Sequence, residues 1–340
     1  MNRRLALLLT ILLAPVAAQP ALGLHHHRPR FDLKRPEIVS FVKEVAARDA
    51  LKRKAVLALL RKAEPQPKII ELISRPAEKV TPWWQYRDHF LTEERIALGA
   101  QFWADHRQSL ERISAEHGVP PEYVVAIIGV ETRYGRFTGQ YRVLDALATL
   151  AFDYPPRSEF FRGELEQFLL LVHEDKLNPL TTTGSYAGAM GAPQFMPSSY
   201  RRYAIDADTD NKRDLWGDWD DIIASVANYL QEHGWEARGP VLAEARFAPD
   251  PTFQIDPRNL DLNATVASLT AQGVKIDLAA LGDRPAVLIA AEQKDGTAYR
   301  VGFKNFYVIT RYNGSALYAM SVYDLAQAIS QRAHVRGAQP

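Results

Sequence analysis

Apolar residues recur at three- and four-residue intervals through most of the chain, the spacing of one helical face. From Ile38 to Ala63 the run IVSFVKEVAARDALKRKAVLALLRKA has this period, and PWWQYRDHF (82–90) and ALGAQFWADHRQSLERIS (97–114) continue it with aromatics interleaved. In VVAIIGVETRYGRFTGQYRV (124–143), Val124, Ile127, Ile128 and Glu131 fall at i, i+3, i+4 and i+7. Pro120 and Pro121 mark a helix start and Gly135 a stop, so Glu131 projects from the last turn toward the side that packs. RVLDALATLAF, EFFRGELEQFLLLVHE and DIIASVANYLQEHGW predict further helices up to Trp235.

The period then changes. GPVLAEARF, FQIDP and AVLIAAEQKDGTAYRVGF (286–303) read as short strands joined by Pro, Asp and Gly turns. Helical spacing returns in SALYAMSVYDLAQAISQRA (315–333), which should rejoin the preceding core. No internal repeat and no low-complexity linker interrupts this order.

Composition narrows the classes. With 340 residues, 47% hydrophobic and 24% charged, the chain suits a folded protein of about two domains. Lys+Arg 41 against Asp+Glu 40 leaves a net charge of +1 and no basic block, which disfavours nucleic acid as a partner. The opening MNRRLALLLTILLAPVAAQP has a basic start, an apolar middle and a small-residue ending at Ala18, the form of a cleavable export signal over 1–18. Its apolar stretch is too short for a membrane anchor. There are no cysteines, which excludes thiol catalysis, disulfides and a lipid-modified cysteine, so no membrane anchor is expected. His25, His26 and His27 follow in a polar lead-in and read as a solvated tail rather than a metal site.

Four stretches can carry chemistry. Burial and the negative end of the helix dipole both favour a protonated Glu131, toward the range of a general acid at neutral pH. A salt bridge to Arg133, Arg136 or Arg142 would push the other way, and helix position alone leaves both readings open. In TTTGSYAGAMGAPQFMPSSYRRY (181–203), Gly184, Gly188 and Gly191 allow close backbone approach around Ser185 and Gln194. Pro193 could open a helix with Gln194 in its first turn. In DADTDNKRDLWGDWDD (206–221), Asp206, Asp208 and Asp210 take positions 1, 3 and 5 of a calcium loop, with the Lys212 carbonyl at 7. Gly217 stands where a bidentate Glu is usual, so Asp220 or Asp221 would have to supply the distal carboxylate. The fourth stretch, NFYVITRYNGSALYAMSVY (305–323), sets Tyr307, Tyr312, Asn313 and Tyr318 near a helix start at Ser315. Such tyrosines suit sugar hydroxyls and ordinary packing equally well. The adjacent Trp83 and Trp84 pose the same choice between a sugar platform and core, core being the commoner role.

Taken together, GVPPEYVVAIIGVETRYG, LDALATLAFDYPPRSEFF, SYAGAMGAPQFMPSSY, DLWGDWDDIIASVANYL and VITRYNGSALYAMSVYDLAQAI resemble the membrane-bound lytic transglycosylase B family of peptidoglycan-cleaving enzymes. The resemblance covers nearly the whole chain after the export signal. It implies a mainly α (α+β) fold: a helical N-terminal lobe (19–114), a lysozyme-like helical core (115–236 plus 304–340) and a small β-containing insertion (237–303). It implies Glu131 as the catalytic acid/base and Ser185, Gln194, Tyr229, Tyr312, Asn313, Tyr318 and Arg157 as substrate contacts. Pro156 stands where the family often has a second Arg. A structural Ca2+ would sit on Asp206, Asp208, Asp210, the Lys212 carbonyl and Asp221, with no organic cofactor. The implied partners are peptidoglycan glycan strands and other cell-wall proteins, and the implied location is the periplasm. Glycosidases usually need two carboxylates. Asp145 and Asp153 are the nearest candidates for a second, so the resemblance implies a substrate-assisted cut of the β-1,4 bond between N-acetylmuramic acid and N-acetylglucosamine that leaves 1,6-anhydromuramic ends; a water-using muramidase and a non-catalytic peptidoglycan-binding protein are the alternatives.

Overall fold

Six helices lead to the segment that carries Glu131: α1 (Pro36–Arg48), α2 (Arg53–Leu60), α3 (Pro67–Ile73), α4 (Trp83–Phe90), α5 (Glu93–Asp105) and α6 (Arg107–His117). The computed structural model describes residues 29–48, 51–74, 81–248, 255–256, 259–276 and 282–337. The export signal over 1–18 and the histidines at 25–27 lie outside the described residues. Ile38, Phe41, Val42 and Val45, at helical spacing, form the buried stripe of α1. That stripe opens a single hydrophobic core that continues from Phe31 to Ile329, through the N-terminal helices and everything packed on them.

The central part comprises α7 (Pro121–Thr132), β1 (Tyr141–Arg142), α8 (Val143–Asp153), α9 (Ser158–Glu174), β2 (Thr183–Gly184), α10 (Pro197–Tyr203) and α11 (Trp219–Glu232). Every residue of α8 from Val143 to Phe152 is buried, as a helix apolar on all sides requires. α9 packs on α8, α11 packs on α6 and α7, and β1 pairs antiparallel with β2 through Tyr141 and Gly184.

The strand-rich segment follows as β3 (Leu242–Arg246), β4 (Ala264–Thr265), α12 (Val266–Ala271), β5 (Lys275–Ile276), β6 (Pro285–Gln293) and β7 (Gly296–Gly302). Its antiparallel sheet has the order β4-β6-β7-β3-β5. Strand alternation seats it. Ala286 and Leu288 of β6 face a small core with Leu269, Val274, Val301 and Phe303, while Val287, Ile289 and Ala291 enter the main core. α13 (Lys304–Tyr312) and α14 (Ala316–Gly337) close the fold, with α14 packed on α4, α5 and α7. No described helix is long and apolar enough to cross a membrane.

Candidate active site

Pro121 opens α7, whose backbone turns left-handed just beyond Thr132, at Arg133 (φ 52), Tyr134 (φ 60) and Gly135 (φ 80). Glu131 is therefore held one residue short of a sharp turn. Tyr134 pins that turn. Its ring occupies the space where Cβ atoms on Gly99 and Gly129 would stand, 2.5 and 2.7 Å from its phenolic oxygen. Its hydroxyl donates to the Arg95 carbonyl at 2.8 Å. Thr132 ties the same turn to the glycine-rich loop, donating to the Ala192 carbonyl at 2.8 Å and accepting from the Gly135 N–H at 3.1 Å.

Across from α7, the first turn of α14 delivers Tyr318, whose hydroxyl donates to Glu131 Oε1 at 2.7 Å. Glu131 is half-buried at its surface but otherwise ringed by protein, and that burial pushes its pKa up to about 7 against the pull of the Tyr318 bond. Among the described residues no cation counteracts it: Arg133 pairs with Glu94 at 2.6 Å and Arg142 with Asp145 at 2.6 Å. The salt-bridged alternative for Glu131 is thereby set aside for these two arginines. Nor does a second carboxylate join it. Asp145 is buried against Arg142 and the Glu64 N–H, and Asp153 pairs with Arg35 at 2.7 Å.

Tyr312 stacks beside Tyr318, ring centres 6.4 Å apart and planes within 12°, and donates to the Pro193 carbonyl at 2.7 Å. Burial and then the nearby Glu131 charge raise both phenols well above their ordinary pKa, so each stays a neutral donor. Tyr229 backs this pair: its ring lies 4.7 Å from that of Tyr312 and its hydroxyl donates to the Arg311 carbonyl at 2.6 Å. It supports the tyrosine wall rather than touching Glu131.

The loop from Gly184 to Phe195 folds as turns, and the helix expected to open at Pro193 begins instead at Pro197. Gln194 has φ 53 and Gly191 φ 67, which breaks helical continuation, and a Cβ on Gly191 would stand 2.3 Å from the Leu215 carbonyl. The Gln194 amide nitrogen is committed to the carbonyls of Thr138 (3.1 Å) and Gly191 (2.9 Å), which leaves Oε1 as its acceptor for a ligand. Ser185 Oγ accepts from the N–H groups of Ala187 and Ala189 at 3.2 and 3.1 Å, so its own proton is what it has to offer.

Ahead of α11, carboxylate oxygens of Asp206, Asp208 and Asp210 lie within 4.8 Å of one another. Lys212 reaches Asp210 at 3.1 Å. Asn211, at φ 69, makes the turn that a glycine usually makes. Three hard oxygen donors crowded at the surface fit a divalent cation such as Ca2+. Asp221 sits differently: it is buried and both oxygens accept backbone N–H groups, from Ala207 and Asp214, each at 2.7 Å. The group of converging carboxylates does not include it, because those two bonds turn it into a staple across the loop.

Residues 34–327 match the transglycosylase SLT domain. The chain belongs to the transglycosylase SLT family. It is 38% identical over 304 residues to membrane-bound lytic murein transglycosylase B of Escherichia coli (strain K12), covering 87% of this chain and 83% of that one. A structure of the lytic transglycosylase SltB1 of Pseudomonas aeruginosa superposes with a TM-score of 0.84 at 45% identity, covering 88% of this chain and 98% of that one. The E. coli lytic transglycosylase Slt35 in complex with calcium gives 0.81 at 36% identity, covering 92% and 100%. The mainly helical, lysozyme-like architecture with a small sheet is shared across these members of the SLT family.

Two expected contacts of this SLT-family site have surroundings of their own. Arg157 stacks over the Phe160 ring at 4.4 Å, in the turn before α9, and Asn313 is exposed at the end of α13. Conversely, sequence reasoning passed over Thr132 and Tyr134. Their only sequence signal is position beside Glu131 in ETRYG, since the glycines that receive the Tyr134 ring lie on two different helices.

Proposed function

We propose that in this lytic murein transglycosylase Glu131 performs both proton transfers, as acid and then as base. The observation that carries this is one enclosed carboxyl with a pKa near 7, bonded to Tyr318 and facing no second carboxylate among the described residues. A group poised near neutrality can give and retake a proton in one cycle. The bond cut is the β-1,4 linkage between N-acetylmuramic acid and N-acetylglucosamine. Glu131 gives its proton to the glycosidic oxygen as the C1–O bond breaks, and the 2-acetamido oxygen closes on C1 as an oxazolinium ion. The carboxylate then takes the proton from the muramic acid O6. The O6 lone pair attacks C1, the acetamido oxygen leaves, and a 1,6-anhydro ring results.

Tyr318 orients the carboxyl and steadies its charge between the two steps. Tyr312 and Tyr229 wall the groove against water, while Gln194 Oε1 and the Ser185 hydroxyl hold the acetamido and sugar hydroxyl groups. Arg157 and the exposed Asn313 would make further contacts with the strand. Asp206, Asp208 and Asp210 hold a structural Ca2+ with the Lys212 carbonyl, and Asp221 braces the loop around it. Export to the periplasm by the leader over 1–18 would bring the enzyme to its murein.

A water-using muramidase is disfavoured because Asp145 and Asp153 are each committed to an arginine. Digestion of murein in heavy-oxygen water tests the reading. Unlabelled anhydromuramic ends are expected; labelled reducing ends would overturn it.

A further inference from the structure

The two adjacent tryptophans of α4 have different surroundings. Trp83 is 1% exposed and belongs to the main core, with the Arg300 guanidinium 5.4 Å over its ring. Trp84 is half-buried, and the Lys294 ammonium lies 4.9 Å over its face. That face borders an open cavity of about 440 Å³ between α4 and the β6–β7 hairpin, lined by Arg87, Asp88, Gln293, Asp295 and Thr297 besides Trp84 and Lys294. A separate cavity of about 510 Å³ has Trp83, Glu292, Gly314, Ser315 and Leu317 in its lining. The helix that bears Trp84 also borders the Glu131 site: α4 packs on α14, and its Tyr86 lies near enough to Tyr318 to raise that phenol's pKa.

We propose that this groove is a distal glycan subsite, in which an N-acetylhexosamine of the same strand stacks on Trp84 in place of Lys294. The inference rests on the reading that Glu131 cuts a glycan. A flat aromatic beside a few convergent polar groups is the usual make-up of a small-molecule site. Asp88, Asp295 and Gln293 present planar acceptors, and Gln293 and Thr297 present donors, to hydroxyls and an acetamide. Two cations and two anions line the cavity, and Arg87 is held by Asp324 at 3.2 Å, so the site suits an uncharged sugar better than a charged peptide. The Lys294 contact with a half-buried surface ring is among the weaker interactions and yields to a stacked ligand. A strand long enough to reach Trp84 as well as Glu131 is held at two places, so longer strands bind more tightly than short ones.

The test uses the full-length enzyme with peptide-free murein strands of two lengths, tetrasaccharides and much longer chains. Trp84→Ala should raise KM for long strands roughly tenfold, the scale of one lost aromatic stack, with kcat unchanged. Its KM for tetrasaccharides should match wild type, and Trp84→Phe should recover most of the affinity for long strands. An equal rise at both lengths, or none at either, would overturn the proposal, as would a loss seen only with peptide-bearing strands. Equal melting temperatures of the variants and wild type would assign the KM change to the subsite rather than to folding. Failure of the parent reading is separate: wild type would then release no anhydro ends at either length.

Discussion

At the end of α7 a single carboxyl is enclosed by protein and bonded to a phenol, while ahead of α11 three carboxylates crowd together at the surface. The same functional group serves two ends. Glu131 has burial without a cation, so its proton is retained to about pH 7 and becomes available for chemistry. Asp206, Asp208 and Asp210 sit together at the surface, where the charged form is cheap and a metal ion would relieve their mutual repulsion. On the proposed reading, the number and exposure of the carboxylates, more than residue type, divide acid catalysis from cation binding.

The sharpest way to break this contrast is Glu131→Gln. The amide keeps the shape and removes the proton shuttle, so release of anhydromuropeptides should fall by about 100-fold to 10,000-fold with glycan binding retained. Turnover within a few-fold of wild type would remove Glu131 from the chemistry.

On the other side, Asp206→Ala with Asp210→Ala should abolish the response of melting temperature to calcium and chelator. Binding to the folded state alone gives wild type roughly 2.7 kcal/mol at a hundredfold excess over the dissociation constant. The rate per folded molecule should not change, which a titration of turnover against calcium checks.

Glu131 should also cost stability where it must ionise. Its folded pKa of about 7 exceeds the 4.5 of an unfolded chain, so the folded state binds more protons between those values and loses stability as pH rises through them. Discounted for partial exposure, the loss is about 2 kcal/mol, complete above pH 7 and absent below 4.5. Denaturant melts of wild type and Glu131→Gln across that window should diverge in favour of the variant. Parallel curves would mean the carboxyl is solvated.

The smallest effect is expected from Tyr318→Phe. Loss of the hydroxyl that lowers the Glu131 pKa should move the alkaline limb of kcat/KM upward from about 7, at a cost of about 1 kcal/mol in hydrogen bonding. A limb that stays put would show that burial alone sets the value.

Much of the scaffold was legible because periodicity is local. The stripe of α1, the apolar face of α7 and the return of helical spacing after Gly314 follow from neighbours in sequence. The acidic loop was legible for the same reason, its alternating carboxylates being within a few residues of one another. Gln194 was misread as helical because a left-handed φ leaves no mark in residue type unless glycine occupies it. Asp221 was expected at the metal, yet which N–H groups reach a carboxylate depends on how the loop closes.

By itself, then, the order of residues determined which segments are helices, which face of α7 packs and that one carboxyl stands on that face. Tertiary structure alone decided that Tyr318, 187 residues away, meets Glu131, and that Arg133 and Arg142 turn to other partners. It alone sent Trp83 into the core and left Trp84 beside open space. The reason is physical: a side chain's periodicity is written by its own backbone, but its pKa and its exposure are set by atoms that arrive from elsewhere in the chain.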